Sequence, residues 1–586
     1  MVKQLMKSIR EFKLATILTP TFVIGEVIIE ALIPFLISLL INDIKAGCDL
    51  SVILGYAWKL VVLSLLSLLC GYLSGIYCAK ASTGFARNLR YDIFTNIQKF
   101  SFSNIDKFSS ASLVTRLTTD IQNVQMAFMM IIRTAVRAPL NLIFSFTMAY
   151  IMGGTMAVIF LIIIPFLGIG LYLIVRTVMP VFKKGFPLFD KITRIVEENV
   201  KGIRVVKSFV REDYEIEKFD ETSNDIRKMF TRAEQIIALN NPLMQISIYA
   251  VMLFVLMFGS EMIIKTNGTS LDVGQLSTLM TYGFQIMVSL MMLSMVFVMI
   301  TFSEESCKRI IEVLNEKSSI TSKENAITEV KDGSIDFDHV RFKYSPTAER
   351  PVLENIDVHI KSGETIGIIG GTGSAKSSFV QLIPRLYDVT EGTVRVGKED
   401  VRDYDLVTLR DSVAMVLQKN VLFSGTIADN IRWGNKDATL EEVKHVCHLA
   451  CADEFIEQMP DGYDTWIEQG GTNVSGGQKQ RLCIARALLK QPKILIMDDS
   501  TSAVDTKTDA IIRKAMKEYI PETTKIIIAQ RTSSVEDADR IIVLDGGKID
   551  AIGTSEELLK TNQIYREVYL SQNKQGTEEI VEEGGV

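Results

Sequence analysis

Six long apolar segments fill the first half of this 586-residue chain, and they restrict its possible folds more than any other feature. Each is close to the roughly 20 residues that a helix needs to cross the hydrocarbon core of a bilayer. In lipid, backbone polar groups must be satisfied within the segment, so these segments are predicted to be transmembrane helices. They lie at about 16–41, 53–79, 129–151, 155–179, 242–264 and 274–302.

The connections between these segments alternate between short and long. The long ones, 80–128 and 180–241, are polar and carry many basic residues, whereas the short ones carry little beyond Lys45 and Lys265. The positive-inside rule therefore predicts that both long loops and both termini are cytoplasmic. Residues 1–14 are basic and amphipathic, which is typical of an elbow helix on the membrane surface. The basic residues of the long loops are Arg87, Arg90, Lys99, Lys107, Arg116, Lys183, Lys184, Lys191, Arg194, Lys201, Arg204, Lys207 and Arg211.

The second half has a different pattern. The six-helix transmembrane domain, 15–316, is followed by a polar linker, 317–333, and then by short strand-like runs that alternate with helices over 334–572. This alternation predicts an α/β domain. The last residues, 573–586, are acidic and predict a disordered tail. A net charge of −6 gives no case for nucleic-acid binding.

The seven cysteines show no disulfide framework. Cys447 and Cys451 lie near His445 and His448, but no second pair of ligands follows at the spacing of a zinc finger. We interpret the two cysteines as small apolar residues on a helix.

A phosphate-binding loop lies in the α/β domain. The sequence Gly370-Gly-Thr-Gly-Ser-Ala-Lys-Ser-Ser378 follows an apolar run, 365–369, and precedes a helical pattern. In this context, backbone N–H groups and a helix N-terminus suit phosphate oxygens. Lys376 would reach the β- and γ-phosphates of ATP, and Ser377 would offer a hydroxyl to Mg²⁺. Asp498 ends an apolar strand, 493–498, and is a second Mg²⁺ candidate.

Two further kinds of motif identify a family. Asn473-Val-Ser-Gly-Gly-Gln478 resembles the signature of ATP-binding-cassette (ABC) proteins, and the loop stretches 105–120 and 202–213 resemble those that flank the coupling helices of type IV ABC exporters. The chain is thus similar to an exporter half-transporter. This resemblance implies a helical membrane domain, all-α with six spans, joined to an α/β P-loop nucleotide-binding domain.

The resemblance also implies roles for single residues. Gln418 stands where the family contacts Mg²⁺ and water, Tyr344 where it stacks on adenine, and Asp505 in the loop Ser502–Asp505 that crosses between two cassettes. In the family, the signature loop serves the ATP bound by the other subunit. The implied cofactors are ATP and Mg²⁺, with Ser377, Gln418 and Asp498 near the metal. The implied nucleotide-binding residues are Tyr344, Gly371, Thr372, Gly373, Ser374, Ala375, Lys376, Ser377, Ser378, Ser475, Gly476, Gly477, Gln478 and Asp505.

Three positions depart from the family pattern. Ala375 replaces the glycine before the loop lysine, and we expect ATP binding to survive because alanine tolerates most backbone conformations. Asp499 replaces the glutamate that orients the attacking water, and a displacement of ~1 Å can cost about 10²-fold in rate. Gln530 replaces the switch histidine, and an amide cannot carry a positive charge. The histidines of the chain, at 339, 359, 445 and 448, all lie elsewhere.

These departures at the catalytic positions, beside an intact signature, resemble the degenerate-site subunit of bacterial heterodimeric multidrug exporters. Such a subunit binds ATP, hydrolyses it slowly or not at all, and completes the active site of a second, different half-transporter. Slow turnover at Asp499 and Gln530 remains open. A regulatory ATP-binding subunit is an alternative, whereas Asp499 and Gln530 disfavour a self-sufficient homodimer.

The membrane segments contain candidate cargo residues. Glu26 and Glu30 share one helical face in the first segment, and an intramembrane carboxylate is a functional candidate; Glu30 also has a structural interpretation. Arg133 and Arg137 are expected to pair with acidic groups or to extend to the interface. Met287, Met291 and Met295 suit varied apolar shapes. The pattern favours an amphipathic small molecule, leaves a cationic one open, and is compatible with a specific lipid or peptide. Short outer loops favour a bacterial plasma membrane.

Overall fold

A computed structural model describes residues 2–345, 347–499 and 504–572, without the side chains of residues 2, 182, 183, 186 and 190. The predicted tail, 573–586, two residues of the crossing loop, Ser502 and Ala503, and the side chain of Lys183 lie outside this description. The chain divides into two compact units. The first runs up to Lys99 and continues over Ser109–Glu316, and the second comprises Phe100–Phe108 and the residues from Lys317 onward.

The described residues before the linker are almost entirely helical. Helix α4 belongs to the second unit, and the other helices build the first unit. The helices are α1 (Val2–Leu5), α2 (Lys13–Lys45), α3 (Leu50–Ile97), α4 (Phe102–Phe108), α5 (Ser110–Thr115), α6 (Ile121–Ile132), α7 (Thr134–Gly153), α8 (Val158–Lys201), α9 (Ile203–Ser208), α10 (Glu212–Ala238), α11 (Asn240–Thr266) and α12 (Val273–Asn315), with 3₁₀ turns at Met6–Phe12 and Gly154–Ala157 and a π-helical turn at Arg116–Asp120.

By length and composition, five helical segments within the described residues could cross a membrane, against six predicted spans. They are Lys3–Lys45, Leu50–Ile97, Ser110–Val181, Glu212–Thr266 and Val273–Asn315. The segment Ser110–Val181 contains both the third and the fourth predicted span. At 1.5 Å per residue its 72 residues correspond to about 108 Å, more than three times the ~30 Å hydrocarbon core. The helical path also breaks at Gly154, whose φ is 49°, so this segment accommodates two crossings.

We call the first unit the membrane unit. Its core lies where α7, α8, α11 and α12 meet. Phe160, Leu279, Tyr282 and Met287 are fully buried there. An N-terminal capping box starts α12, because Asp272 accepts from the backbone N–H of Gln275 at 2.7 Å and the Gln275 side chain accepts in return. Apolar side chains remain exposed on the outer faces of the helices, as a lipid environment requires.

The second unit is an α/β domain with two main sheets. One is antiparallel, with the strand order β2-β1-β4-β5, and the other has the order β12-β11-β3-β10-β9-β6 and is parallel except for β12. The strands are β1 (Ile335–Phe342), β2 (Leu353–Ile360), β3 (Thr365–Ile369), β4 (Glu391–Val396), β5 (Glu399–Asp400), β6 (Val413–Val416), β7 (Gly425–Thr426), β8 (Trp466–Ile467), β9 (Ile494–Asp498), β10 (Thr524–Ile528), β11 (Arg540–Asp545) and β12 (Lys548–Gly553).

Nine helices of the described residues complete this domain after the linker. They are α13 (Lys376–Gln381), α14 (Leu406–Ser412), α15 (Ile427–Arg432), α16 (Leu440–Leu449), α17 (Asp453–Ile456), α18 (Gly476–Leu489), α19 (Thr506–Tyr519), α20 (Ser555–Thr561) and α21 (Gln563–Gln572). Strands β3, β9 and β10 are almost entirely buried apolar runs, as parallel strands covered on both faces should be. The predicted fold class, a helical membrane domain joined to an α/β domain, is confirmed.

Helix α4 comes from the first long loop but packs within the second unit. Tyr387 donates a hydrogen bond to Asp106 at 2.9 Å, and its ring lies 6.0 Å from that of Phe102. Burial and the nearby Asp106 carboxylate raise the pKa of Tyr387. The loop stretch that resembles an exporter coupling segment therefore begins with a helix that packs on the α/β domain.

Candidate functional site

The candidate site lies at the carboxyl ends of four neighbouring parallel strands, where the ligand sites of open α/β sheets occur. The phosphate-binding loop follows β3, Asp498 ends β9, and Gln530 and Gln418 follow β10 and β6. The strands end in register, since Ile528 pairs with both Ile368 and Asp498. This topology brings together residues that are up to 160 positions apart in the sequence.

A cavity of about 490 Å³ opens at this edge. It is lined by most of the residues predicted for ATP: Gly371, Thr372, Gly373, Ser374, Ala375, Lys376, Ser377, Ser378, Gln418, Asp498, Asp499 and Gln530. Val352, Ala529 and Val568 add apolar contacts that the sequence did not predict. The cavity falls within the size range of small-molecule sites.

The loop lysine folds back into its own loop. The Lys376 ammonium donates to the carbonyl oxygens of Gly370 and Gly371, each at 2.8 Å. Burial lowers the pKa of Lys376, while Asp498 and Asp499 act in the opposite direction. Phosphate oxygens would offer this ammonium stronger, charged acceptors than the two carbonyls.

Ala375 adopts a backbone conformation that alanine disfavours. Its φ of 71° lies in the left-handed region, immediately before α13. A residue with a Cβ pays roughly 1–2 kcal/mol there, whereas glycine does not. The sequence did not reveal the sign of φ, so this local strain was not predicted. The expectation that ATP binding survives the alanine stays a prediction.

The residues near a prospective metal ion also lie close together. A hydrogen bond from Ser377 partly offsets burial at the Asp498 carboxylate, but the pKa of Asp498 is still raised, chiefly by burial. A hydroxyl and a carboxylate are both oxygen ligands of the kind that Mg²⁺ prefers. The donor set thus fits a magnesium ion held jointly with nucleotide phosphates.

Asp499 is held by several groups. Its carboxylate oxygen Oδ2 accepts from the Gln530 amide at 2.8 Å and from the Gln418 amide at 3.3 Å. Its backbone N–H donates to Ile528, and its carbonyl accepts from Gln480 of α18 at 3.4 Å. The side chain is also almost buried, with 9% exposure. These contacts fix the orientation of the carboxylate.

The C-terminal helix α21 contributes a contact that no sequence motif predicted. The Gln572 amide donates to the Gln530 carbonyl at 2.7 Å, and its oxygen accepts from the Thr532 backbone N–H at 2.8 Å. Helix α21 thereby holds the loop that carries Gln530. The only available signal would have been the amphipathic pattern of 563–572, which does not specify a partner.

The remaining predicted nucleotide residues lie outside this cavity. Ser475 caps α18 through a capping box with Gln478, at 3.3 and 2.8 Å. Gly476 and Gly477 form the first turn of α18. Asp505 caps α19 through the Thr508 backbone N–H at 3.0 Å. Tyr344 is 46% exposed beside α13, where its hydroxyl contacts Ser378 at 2.8 Å.

The acidic pair of the membrane unit is bridged by one arginine. Arg137 of α7 contacts Glu26 at 3.2 Å and Glu30 at 2.7 Å, which fits the predicted pairing of this arginine with acidic groups. Glu26 is 7% exposed, and its oxygen Oε2 has no hydrogen-bond partner among the described residues. A Cβ on the facing Gly71 would lie 3.0 Å from Oε1. The cluster therefore joins α2 to α7 in a tightly packed region.

The three predicted cargo methionines have different environments on α12. Met287 is fully buried in the helix core, Met291 is partly buried, and Met295 is 61% exposed. A separate apolar cavity of about 250 Å³ opens between α8 and α12. It is lined by Gly168, Leu171, Tyr172, Val175, Leu290, Leu293, Ser294 and Phe297.

Comparison with known proteins agrees with this architecture. Residues 16–303 match the family model of the ABC transporter transmembrane region, and residues 353–502 match that of the ABC transporter domain. The uncharacterized ABC transporter ATP-binding protein YfiB of Bacillus subtilis is 34% identical over 94% of this chain and 96% of its own length. An ATP-dependent lipid A-core flippase of Desulfotalea psychrophila is 31% identical over 85% of this chain and 86% of its own.

Among solved structures, a bacterial Atm1-family ABC exporter with ATP bound has the same fold, with a TM-score of 0.82, 24% identity, and coverage of 96% of this chain and 98% of its own. The matched ATP-binding domain implies ATP as the ligand of the cavity at the strand ends. The chain therefore belongs to the ABC transporter family, as a multi-pass membrane half-transporter with the exporter fold that drives transport with ATP.

Proposed function

We propose that this chain is one half of a heterodimeric exporter whose own ATP site binds Mg²⁺-ATP but hydrolyses it slowly. The observation that carries this proposal is the Asp499 carboxylate, which is bound by the amides of Gln530 and Gln418. The aspartate side chain is one methylene shorter than that of glutamate, and its carboxylate already accepts two hydrogen bonds. It is therefore poorly placed to align an attacking water.

ATP binding itself is well supported by the site. The loop amides before α13, the Lys376 ammonium and the exposed Tyr344 ring supply a phosphate cradle, a positive charge and an aromatic face. Ser377 and Asp498 would hold Mg²⁺, which neutralises charge on the phosphates. These groups need only bind and orient the nucleotide.

Hydrolysis needs two further contributions, and both are weak here. A general base or positioning group must contact the water, and a charged donor must stabilise the developing negative charge. Asp499 is one methylene shorter than a glutamate, and Gln530 supplies a neutral amide in place of a protonated imidazole. Each change reduces stabilisation that is specific to the transition state while leaving the ATP cradle intact.

The signature loop supports a second subunit. Ser475 and Gln478 form an intact cap on α18 and do not line the cavity of their own chain. A helix N-terminus with exposed N–H groups favours a negatively charged group. We infer that this loop acts on ATP held by a different half-transporter with a competent site.

For the cargo we propose an amphipathic small molecule, as in multidrug export. The cavity between α8 and α12 is lined almost entirely by apolar residues, together with Tyr172 and Ser294. Met295 is exposed and Met291 is partly exposed on α12, so both are accessible to cargo. Met287 is buried and packs in the helix core, so it would contact cargo only after a movement of the helices. Because Arg137 already binds Glu26 and Glu30, these carboxylates are less available to a cationic cargo.

Lipid export is a second candidate. The name of the Desulfotalea psychrophila relative describes a lipid A-core flippase, and an apolar cavity of about 250 Å³ also suits an acyl chain. Reconstitution of the co-expressed pair in vesicles separates the candidates, with a fluorescent cationic dye, a neutral amphipathic drug and a labelled lipid as cargos. Ser294→Phe should reduce transport of the true cargo, and Thr281→Phe, at an exposed site on α12 outside that cavity, should not.

A regulatory subunit that moves no cargo along its own helices remains the alternative to both. Unchanged cargo selectivity after substitution of Glu26, Met291 and Met295 would favour that role. We place the protein in a bacterial plasma membrane with both termini cytoplasmic, on the basis of the basic long loops. Fusion of fluorescent and periplasmic reporter domains to each terminus tests this orientation.

The ATPase activity of the purified chain tests the proposal as a whole. Alone, the chain should bind ATP with little turnover, and co-purification with a partner that carries the glutamate and histidine should give turnover dependent on Ser475. Brisk ATPase activity of the isolated chain would contradict the heterodimer proposal.

A further inference from the structure

A second polar cavity lies in the α/β domain, away from the ATP cradle. It occupies about 350 Å³ between α19 and the residues 534–538. Arg513, Lys514 and Lys517 line it from α19, and Lys525 lines it from strand β10. Met516 and Ile527 supply apolar surface. We call this cavity the lysine pocket.

The charges in the lysine pocket are not balanced. Arg513 contacts two carboxylates, those of Asp509 at 3.4 Å and Asp537 at 2.9 Å. In contrast, no ion pair within 4.0 Å is formed by Lys514, Lys517 or Lys525 among residues 2–345, 347–499 and 504–572. Three lysines of the described residues therefore line one cavity without a carboxylate in contact with their ammonium groups. Asp537 also lines the cavity, and its carboxylate is paired with Arg513.

Lys525 is the most unusual of these groups because it is 5% exposed. Its ammonium donates to the carbonyl oxygens of Ile520 at 2.8 Å and Thr523 at 2.9 Å, which leaves a third proton available. Burial lowers the pKa of Lys525, and repulsion from Lys517 adds to this effect, while Asp539 and Glu522 oppose it. Two like charges near each other in a partly buried cavity gain stability from an anion between them.

We propose that the lysine pocket binds a phosphate dianion, either inorganic phosphate or the phosphate of a small phosphomonoester. Lys514 and Lys517 lie three residues apart on one face of α19, and Lys525 lines the same cavity from β10. Lysine ammonium groups bind phosphate as point charges. The volume leaves room for a small group attached to the phosphate.

The position of this site gives it a route to the ATP cradle. Helix α19 begins one residue after Asp505, and the turn Thr532–Ser534, whose last residue lines the pocket, begins two residues after Gln530. Asp509 of α19 already accepts from the Ser534 hydroxyl at 3.0 Å. A bound dianion would hold these two elements together and favour one arrangement of the crossing loop and of Gln530. The site is thus an allosteric one and does not depend on the cargo or on the partner.

Equilibrium dialysis of radiolabelled inorganic phosphate against the full-length chain in nanodiscs tests this site. A saturating non-hydrolysable ATP analogue is present throughout, so that the phosphate-binding loop is occupied. We expect saturable binding that Lys517→Gln and Lys514→Gln each weaken by about tenfold or more, as loss of one charge-assisted contact would. Lys436→Gln, at an exposed site outside the pocket, should leave binding unchanged.

Competition experiments then define the ligand. Stronger displacement by glycerol 3-phosphate than by unlabelled phosphate would identify a phosphomonoester site, and the reverse order would identify an inorganic phosphate site; both uphold the proposal. Absence of saturable binding would overturn it. Binding that the Lys514→Gln/Lys517→Gln double variant retains, or that chloride displaces equally at matched ionic strength, would also overturn it. Slow or fast ATPase activity of the chain affects none of these readouts.

Discussion

The Gln530 side-chain amide donates a 2.8 Å hydrogen bond to the Asp499 carboxylate. The two residues follow adjacent parallel strands, β10 and β9. The family resemblance assigns their positions to a switch histidine and a water-orienting glutamate. The neutral Gln530 amide thus donates directly to the carboxylate of Asp499, whose side chain is shorter than that of glutamate. This contact satisfies both side chains in the absence of substrate and supports the proposed slow site.

ATP binding should depend on Lys376 and not on Asp499. Lys376→Ala removes the ammonium next to the phosphate loop and should weaken ATP binding by about tenfold or more, whereas Asp499→Asn should change it little. Fluorescent nucleotide titration of the full-length chain measures both. Comparable losses in the two variants would show that Asp499 belongs to the binding machinery.

The signature serine should act on the partner's site. Ser475→Ala removes the cap of α18 and should cost about 1 kcal/mol of stability while it reduces ATP turnover of the heterodimer. Thr554→Ala is the matched control, because Thr554 forms the same capping box at α20. We expect a similar loss of thermal stability for both and loss of turnover for Ser475→Ala alone. Equal turnover in the two variants would argue against the signature role.

The arginine bridge in the membrane unit should be mainly structural. Arg137→Gln leaves the nearly buried Glu26 without its partner, so it should lower the melting temperature more than Glu30→Gln does. A double-mutant cycle with Glu26→Gln and Arg137→Gln should give a coupling of about 1 kcal/mol or more in the free energy of unfolding. Thermal unfolding in detergent measures this coupling. Additive effects, with a change in cargo selectivity for Glu26→Gln, would instead indicate direct cargo contact.

The metal site should weaken on acidification. Burial raises the pKa of Asp498 above its ordinary value of 3.8, so protons compete with Mg²⁺ at a higher pH than they do for an exposed aspartate. The Mg²⁺-dependent part of the ATP affinity should fall as the pH decreases toward that raised pKa, and Asp498→Asn should reduce this dependence to the part that arises from protonation of the ATP phosphates. Because the folded-state pKa is raised, ionisation of Asp498 opposes folding, and the nucleotide-free chain gains stability from this group as the pH falls.

Nucleotide titrations across a pH series, with and without Mg²⁺, measure how the Mg²⁺ contribution to the ATP affinity depends on pH. Melting curves without nucleotide measure how the stability of the chain depends on pH. A Mg²⁺ contribution that is flat down to pH values near 3.8 would contradict a role for buried Asp498 in metal binding.

The sequence predicted the elements of the ATP site because each motif is local. The loop before Lys376 and the strand that ends at Asp498 each specify their own backbone conformation, and parallel pairing then brings them to one edge. The contacts of Gln572 with the Gln530 loop could not be predicted in this way, because they join distant segments through amides with no characteristic pattern.

The membrane segments show the same limit. Their lengths followed from hydropathy, but which side of α12 is buried depends on the neighbouring helices, and so the contrast between Met287 and Met295 was not predictable. The sign of φ at Ala375 and the packing of α4 against Tyr387 likewise depend on structure outside each local motif.

We propose that the ATP site of this chain binds nucleotide but lacks the groups that split it efficiently. The most direct measurement compares single-turnover ATP hydrolysis by the purified chain with that of the Asp499→Glu/Gln530→His double variant, after equal occupancy by Mg²⁺-ATP. We predict that both bind ATP similarly and that the double variant hydrolyses it about 10²-fold faster, as restored positioning would allow. Equally fast hydrolysis by the unmodified chain would contradict a slow ATP site.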